Sequence, residues 1–136
     1  MKTIPNCCFV DSSAFIALNH VGDSNHEKAY ATAKQLQGYR FMVTDSVITE
    51  TYALLRYRLG FHSSSNFLDI ILNSREYEIV EINPAMRQDV MRLLEKYSDH
   101  KISYCNALSV VAMNHHQIEN IFAFDRHFEM MGVKLL

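Results

Sequence analysis

The chain has no tryptophan, two prolines, four glycines and three cysteines in 136 residues. So little proline and glycine excludes collagen-like and low-complexity chains. The cysteines, Cys7, Cys8 and Cys105, are odd in number and two are adjacent. That spacing fits neither a zinc site nor a disulfide framework, and a reducing cytoplasm is the expected setting. No apolar run approaches the ~20 residues that span a bilayer. Met1 to Asn6 carries one lysine and no signal-peptide core. The expectation is a soluble cytoplasmic protein with no membrane partner. Neither sign of charge dominates: 13 Lys and Arg stand against 15 Asp and Glu, a net of −2. Binding nucleic acid through bulk positive charge is therefore excluded. A polyanionic partner would require a local device, such as a bound cation.

What is present is ordinary globular material, 49% hydrophobic and 21% charged. The length suits one domain with its own core, here residues 1–136, and excludes a disordered chain.

Cys7 to Val10 is a short unalternating apolar run that stops at Asp11, the pattern of a strand buried on both faces. Asp11-Ser12-Ser13 supplies capping oxygens for a helix from Ala14 to Leu18. A turn over Val21–Asn25 leads to a helix over 26–36 with a stop at Gly38. Arg40 to Thr44 reads as a second strand. Asp45 or Ser46 would cap the next helix, whose apolar stripe is Val47, Ile48, Thr51, Leu54 and Leu55, ending at Gly60. Ser63-Ser64-Ser65 reads as a cap for Phe67 to Leu72. Tyr77 to Ile82 is a third strand. Asn83-Pro84 starts a helix with a stripe of Met86, Val90, Leu93, Leu94 and Tyr97. Ser103 caps a helix over 104–113 that is apolar almost all round and hence buried. Asn120 to Phe124 and Val133 to Leu136 complete the strands. Alternating strands and helices predict an α/β fold with a parallel sheet.

In such sheets, ligands sit at the carboxyl ends of the strands. Asp11 and Asp125 stand there, each just after a strand. Glu50 lies one turn into the helix after the second strand, at the edge of its apolar stripe. Helical side chains lean toward their N-terminus, so Glu50 would point back to the same rim. Asn106, in the first turn of the buried helix, faces that rim too. Taken singly, each has a plain reading: a strand-end Asp is often a helix cap, and a helical Glu is most often solvated. Together they are like charges that repel unless a cation joins them, and hard oxygen ligands suit Mg²⁺ or Mn²⁺.

Phe9-Val10-Asp11-Ser12-Ser13-Ala14, Ile48-Thr49-Glu50, Asp99 with Ser103-Tyr104-Cys105-Asn106-Ala107, and Ala123-Phe124-Asp125-Arg126-His127-Phe128 followed by Gly132-Val133 occur in that order. In sequence and spacing they resemble the successive motifs of PIN-domain ribonucleases, most nearly the small VapC-like toxins. The resemblance spans nearly the whole chain. It implies a three-layer α/β/α fold with a mostly parallel central sheet and an acidic Mg²⁺ or Mn²⁺ site that hydrolyses RNA. It also implies an antitoxin partner and a homodimer. By motif, Asp11, Glu50 and Asp125 match three of the family's acidic positions and would be catalytic and metal-binding. Asn106 stands where the family usually holds a further Asp. Ala123 stands where it often has a hydroxyl residue. Asn offers only a neutral carbonyl, so metal affinity should fall. Asp99 in the preceding loop is a minor candidate to compensate, and Ser12 a minor candidate to bond a metal water or phosphate.

Three function classes follow. The first is a metal-dependent endoribonuclease, as a toxin of a toxin–antitoxin pair. The second is a catalytically impaired PIN-like module that binds RNA or protein, on the strength of Asn106. The third is a phosphoryl acceptor at Asp11, which lacks the further acids and the late-strand Lys it would need. Other features have plainer readings. His115-His116 point about 100° apart on a helix and are a poor chelate. Cys105 has no Cys–His–Asp arrangement and reads as structural. Arg56 and Arg58 with Tyr52 and Tyr57 could track RNA and stack bases, though the tyrosines equally suit core or a dimer surface.

Overall fold

The first described strand has nowhere polar to face. In β1, Cys7–Val10, all four side chains are buried, and the strand lies at the centre of a five-stranded sheet. The structure, a computed structural model, describes residues 6–136; the signal-peptide reading of Met1 to Asn6 falls almost wholly outside the described residues. The other strands are β2 (Arg40–Thr44), β3 (Tyr77–Val80), β4 (Asn120–Phe122) and β5 (Lys134–Leu135). Their spatial order is β3-β2-β1-β4-β5, and every pairing is parallel. Helices flank this sheet in the α/β/α manner: α1 (Ser12–Asn19), α2 (His26–Gln35), α3 (Asp45–Leu59), α4 (Phe61–Asn73), α5 (Pro84–Lys96), α6 (Tyr104–His115) and the short α7 (His127–Met130). The core is continuous and centres on Phe9, Leu55, Met86, Met113, Ile121 and Phe128.

This order places the site. The chain steps outward from β1 to β2 to β3, then returns to the other side of β1 as β4. The strand order therefore reverses between β1 and β4, and a crevice opens at their carboxyl ends. Asp11 follows β1 and Asp125 follows β4 by three residues.

Several boundaries differ from the sequence expectation, each for a local reason. Thr44, not Asp45 or Ser46, caps α3, its hydroxyl accepting from Val47 N at 3.2 Å. Ser63-Ser64-Ser65 is not a cap. It lies inside α4, where the Ser64 hydroxyl turns back to the carbonyls of Gly60 and Phe61, both at 3.0 Å, and so satisfies its buried donor within the helix. The break falls at Gly60, whose φ of +95° suits glycine. The third strand stops at Val80 rather than Ile82, because Asn83 already caps α5 through Met86 N. The fourth stops at Phe122 rather than Phe124, since Phe124 N leaves the ladder for a side chain of α1. The last strand is Lys134–Leu135, shorter than residues 133–136, because Val133 N bonds back to Phe128 O. The turn α7 carries no strong helical pattern and is held by fully buried Phe128.

Candidate active site

Asp11 caps α1 as its position suggests. Its Oδ2 accepts from Ser13 N at 3.1 Å and from the Ser13 hydroxyl at 2.6 Å. Its Oδ1 is buried and has no hydrogen-bond partner among the described residues. The residue is only 2% exposed. Burial pushes its carboxyl above the ordinary value of 3.8; the Ser13 bonds work against this, and the Glu50 charge adds to it. A buried carboxylate oxygen with no donor and a second acid nearby is an energetically costly arrangement. A cation would relieve it.

Glu50 does turn back to the rim rather than into solvent. The Ser12 hydroxyl donates to its Oε1, and the Cys105 thiol lies near its carboxylate. Asp125 ends the β4 loop, and both its oxygens are engaged. Oδ1 accepts from His127 N at 2.9 Å and lies 3.0 Å from His127 Nδ1. Oδ2 accepts from Asn106 Nδ2 at 3.0 Å. Asn106 is buried at the start of α6, where the Ser103 cap accepts from its backbone N–H at 3.0 Å.

These side chains line one cleft of about 450 Å³. The structure thus brings together Asp11, Ser12, Glu50, Asn106 and Asp125. It leaves Asp99 out: that side chain is 82% exposed, beside His100, and does not line the cleft. The cleft also holds residues that sequence reading passed over. Asp23 and Asn25 were only a turn there, yet the loop after α1 carries them to the rim, with Asn25 N donating to Asp23 Oδ1 at 2.9 Å. Lys101 and Arg58 supply positive charge, and His127 lies beside Asp125. A His two residues after a strand-end Asp was the one available signal.

Oxygen ligands of this kind fit a hard divalent cation. Among the described residues, however, no three His, Cys, Asp or Glu side chains form a ready-made metal cluster. Asp11 Oδ2 and Glu50 Oε1 are turned to serines, and the side chain facing Asp125 Oδ2 is the Asn106 amide. Asp11 Oδ1 is buried with no hydrogen-bond partner among the described residues, and an ion would supply one.

Elsewhere, His115 pairs with Asp89 at 2.8 Å and forms no chelate with His116. Cys105 is a free buried thiol pushed up to about 12 by burial, with neighbouring acids adding to it, which makes it a poor nucleophile. Tyr57 is 91% exposed and so is no core residue, while Tyr52 is half-buried.

Comparison with known proteins agrees with this architecture. A family model described as PIN domain matches residues 8–134. The chain belongs to the PIN-domain family. It is 28% identical over 127 residues to a 23S rRNA-specific endonuclease, VapC20, of Mycobacterium tuberculosis, covering 91% of this chain and 93% of that protein. The crystal structure of that species' VapC20, described as a Sarcin-Ricin loop cleaving toxin, superposes with a TM-score of 0.86 at 25% identity, covering 93% of this chain and 95% of that one. VapBC2 from Rickettsia felis, bound to a DNA fragment from its promoter, shares the fold at 11% identity, with a TM-score of 0.71 over 96% of this chain and 97% of that one.

Proposed function

We propose that this protein is a divalent-metal-dependent endoribonuclease of the VapC-like toxin type, acting as a single PIN-like domain. The observation that carries the reading is Asp11 Oδ1, buried and unpartnered in a crevice it shares with Glu50 and Asp125. Asp11, Glu50 and Asp125, with the Asn106 side chain, would hold Mg²⁺ or Mn²⁺. When bound, such an ion supplies a more acidic water and stabilises charge on the leaving oxygen of a phosphodiester. The protein's residues do the rest. Ser12 and Ser13 orient the two acids nearest α1. Arg58 and Lys101 flank the cleft and hold the RNA backbone against the repulsion of the acids.

The likeness to VapC20 supports RNA as substrate and a toxin's role. The likeness to VapC-type toxins supports an antitoxin protein and a second copy of this chain as partners. Three unpaired buried cysteines suit a reducing compartment such as the cytoplasm. No helix among the described residues is long and apolar enough to cross a membrane.

One observation favours a second reading, the impaired binding module. Asn106 donates to Asp125 where a further acid would help hold the ion. Incubating the protein with a sarcin–ricin-loop hairpin and with unstructured RNA, in Mg²⁺, in Mn²⁺ and in chelator, separates the two. Endonucleolytic cuts that vanish in chelator and in Asp11→Asn support the nuclease. RNA binding without cleavage in either metal supports the binding module.

A further inference from the structure

His127 lines the cleft, and the metal site gives it no task. Its place is tightly set. The next residue, Phe128, is fully buried and anchors the turn. The His127 backbone N–H donates to Asp125 Oδ1 at 2.9 Å, and its Nδ1 stands 3.0 Å from the same oxygen. Asp125 is itself steadied from the other side by Asn106. With Nδ1 on the Asp125 side of the ring, Nε2 lies on the opposite side, away from that carboxylate. Here Nε2 makes no hydrogen bond to the described residues, the side chain is 41% exposed, and the residue lines the cleft.

The chemistry of that position selects its ligand. A ring held 3.0 Å from a carboxylate oxygen, with Asp11 and Glu50 in the same cleft, is a poor seat for a phosphate. Arg58 and Lys101 offer better ones. A neutral polar group suits it. RNA carries one at every nucleotide, the ribose 2′-hydroxyl, which distinguishes it from DNA. A hydroxyl both donates and accepts. It can give its proton to Nε2 of the neutral ring or accept one from the charged ring, so the contact needs no particular protonation state.

We infer that His127 reads the 2′-hydroxyl of a ribose seated in the cleft and contributes to the choice of RNA over DNA. This rests on the reading of the chain as an RNA nuclease and adds to it a residue that sets sugar specificity. The test is a double-mutant cycle between protein and substrate. A cleavable RNA is made with a single 2′-deoxy nucleotide at each position in turn. It is offered in Mn²⁺ to the wild type, His127→Ala and His127→Gln, the last keeping a polar tip.

At one position the wild type should lose about tenfold in kcat/KM on deoxy substitution, the scale of one well-made hydrogen bond. His127→Ala should show that loss already on all-ribose RNA and almost no further loss on the deoxy substrate, with His127→Gln intermediate. Mn²⁺ affinity should stay within about twofold of wild type. Deoxy effects equal in wild type and His127→Ala at every position would overturn the inference while leaving the nuclease intact. So would a parallel collapse of Mn²⁺ affinity, which would make His127 an ion ligand. A wild type that cuts no RNA in metal would instead remove the nuclease reading, and the inference with it.

Discussion

The Ser13 hydroxyl accepts a hydrogen bond from Phe124 N, 111 residues further along the chain, at 3.0 Å, and donates its own proton to Asp11 Oδ2 at 2.6 Å. One side chain therefore closes the crevice between β1 and β4 and aims the acid at its base. Without that bond Phe124 N would lose its partner, because the chain has already left the ladder there. Removing the clasp should loosen both strand ends at once. Ser13→Ala is expected to cost about 1–2 kcal/mol, the value of a hydrogen bond whose partner is left unsatisfied. It should also lower RNA cleavage more than it lowers RNA binding. Denaturant melts beside kcat and KM read both.

Asn106→Asp tests the departure from the family pattern. The substitution replaces the Nδ2 donor facing Asp125 Oδ2 at 3.0 Å with an oxygen. In chelator two carboxylates then meet, and the variant should be less stable than wild type by about 1–3 kcal/mol. In Mn²⁺ it should recover more than the wild type gains, since an ion that binds only the folded state stabilises by mass action. RNA cleavage should rise. Equal metal-induced shifts in the two proteins, with cleavage unchanged, would show that position 106 takes no part in holding an ion.

The pH dependence of the metal-free protein follows from Asp11. Burial raises its folded pKa above the unfolded value, with the Glu50 charge adding to the effect. For an acid shifted this way, the unfolded state releases its proton first as pH rises. The stability it contributes is full below the unfolded pKa and is lost as pH climbs through the folded one. In chelator, the wild type should therefore lose stability relative to Asp11→Asn as pH rises from the ordinary carboxylate range toward neutrality. Asn keeps the cap without the buried charge. In Mn²⁺ the order should reverse at neutral pH, because the ion favours the ionised acid. Paired thermal melts over that range, with and without metal, give the answer.

Much of this site could be read from the sequence, because it depends on strand ends and helix phase. Asp11 stands just after an apolar run, Asp125 just after another, and Glu50 at the edge of a stripe; each position fixes a direction in any parallel sheet. The parallel order and the buried α6 followed from the same patterns. What could not be read depends on where distant segments meet. Ser13 has the same local role as any capping serine until β4 is laid beside β1. Asp23 and Asn25 look like a turn until α1 sets their height above the sheet. Thr44, the last residue of β2, takes the cap from Asp45 because its own hydroxyl reaches Val47 N. The three serines at 63–65 follow the general preference for caps, yet Ser64 satisfies its hydroxyl inside a helix. Asp99, at a plausible spacing, points to solvent, while Lys101 and Ser103 of the same loop line the cleft.

The central claim is that the crevice acids hold one divalent ion, and direct Mn²⁺ binding followed by electron paramagnetic resonance measures it without reference to activity. The account predicts saturable binding of about one ion by the wild type, a loss of about tenfold or more in affinity for Asp11→Asn and for Glu50→Gln, and wild-type affinity for Asp99→Asn. Undiminished binding by Asp11→Asn, or a loss confined to Asp99→Asn, would contradict it.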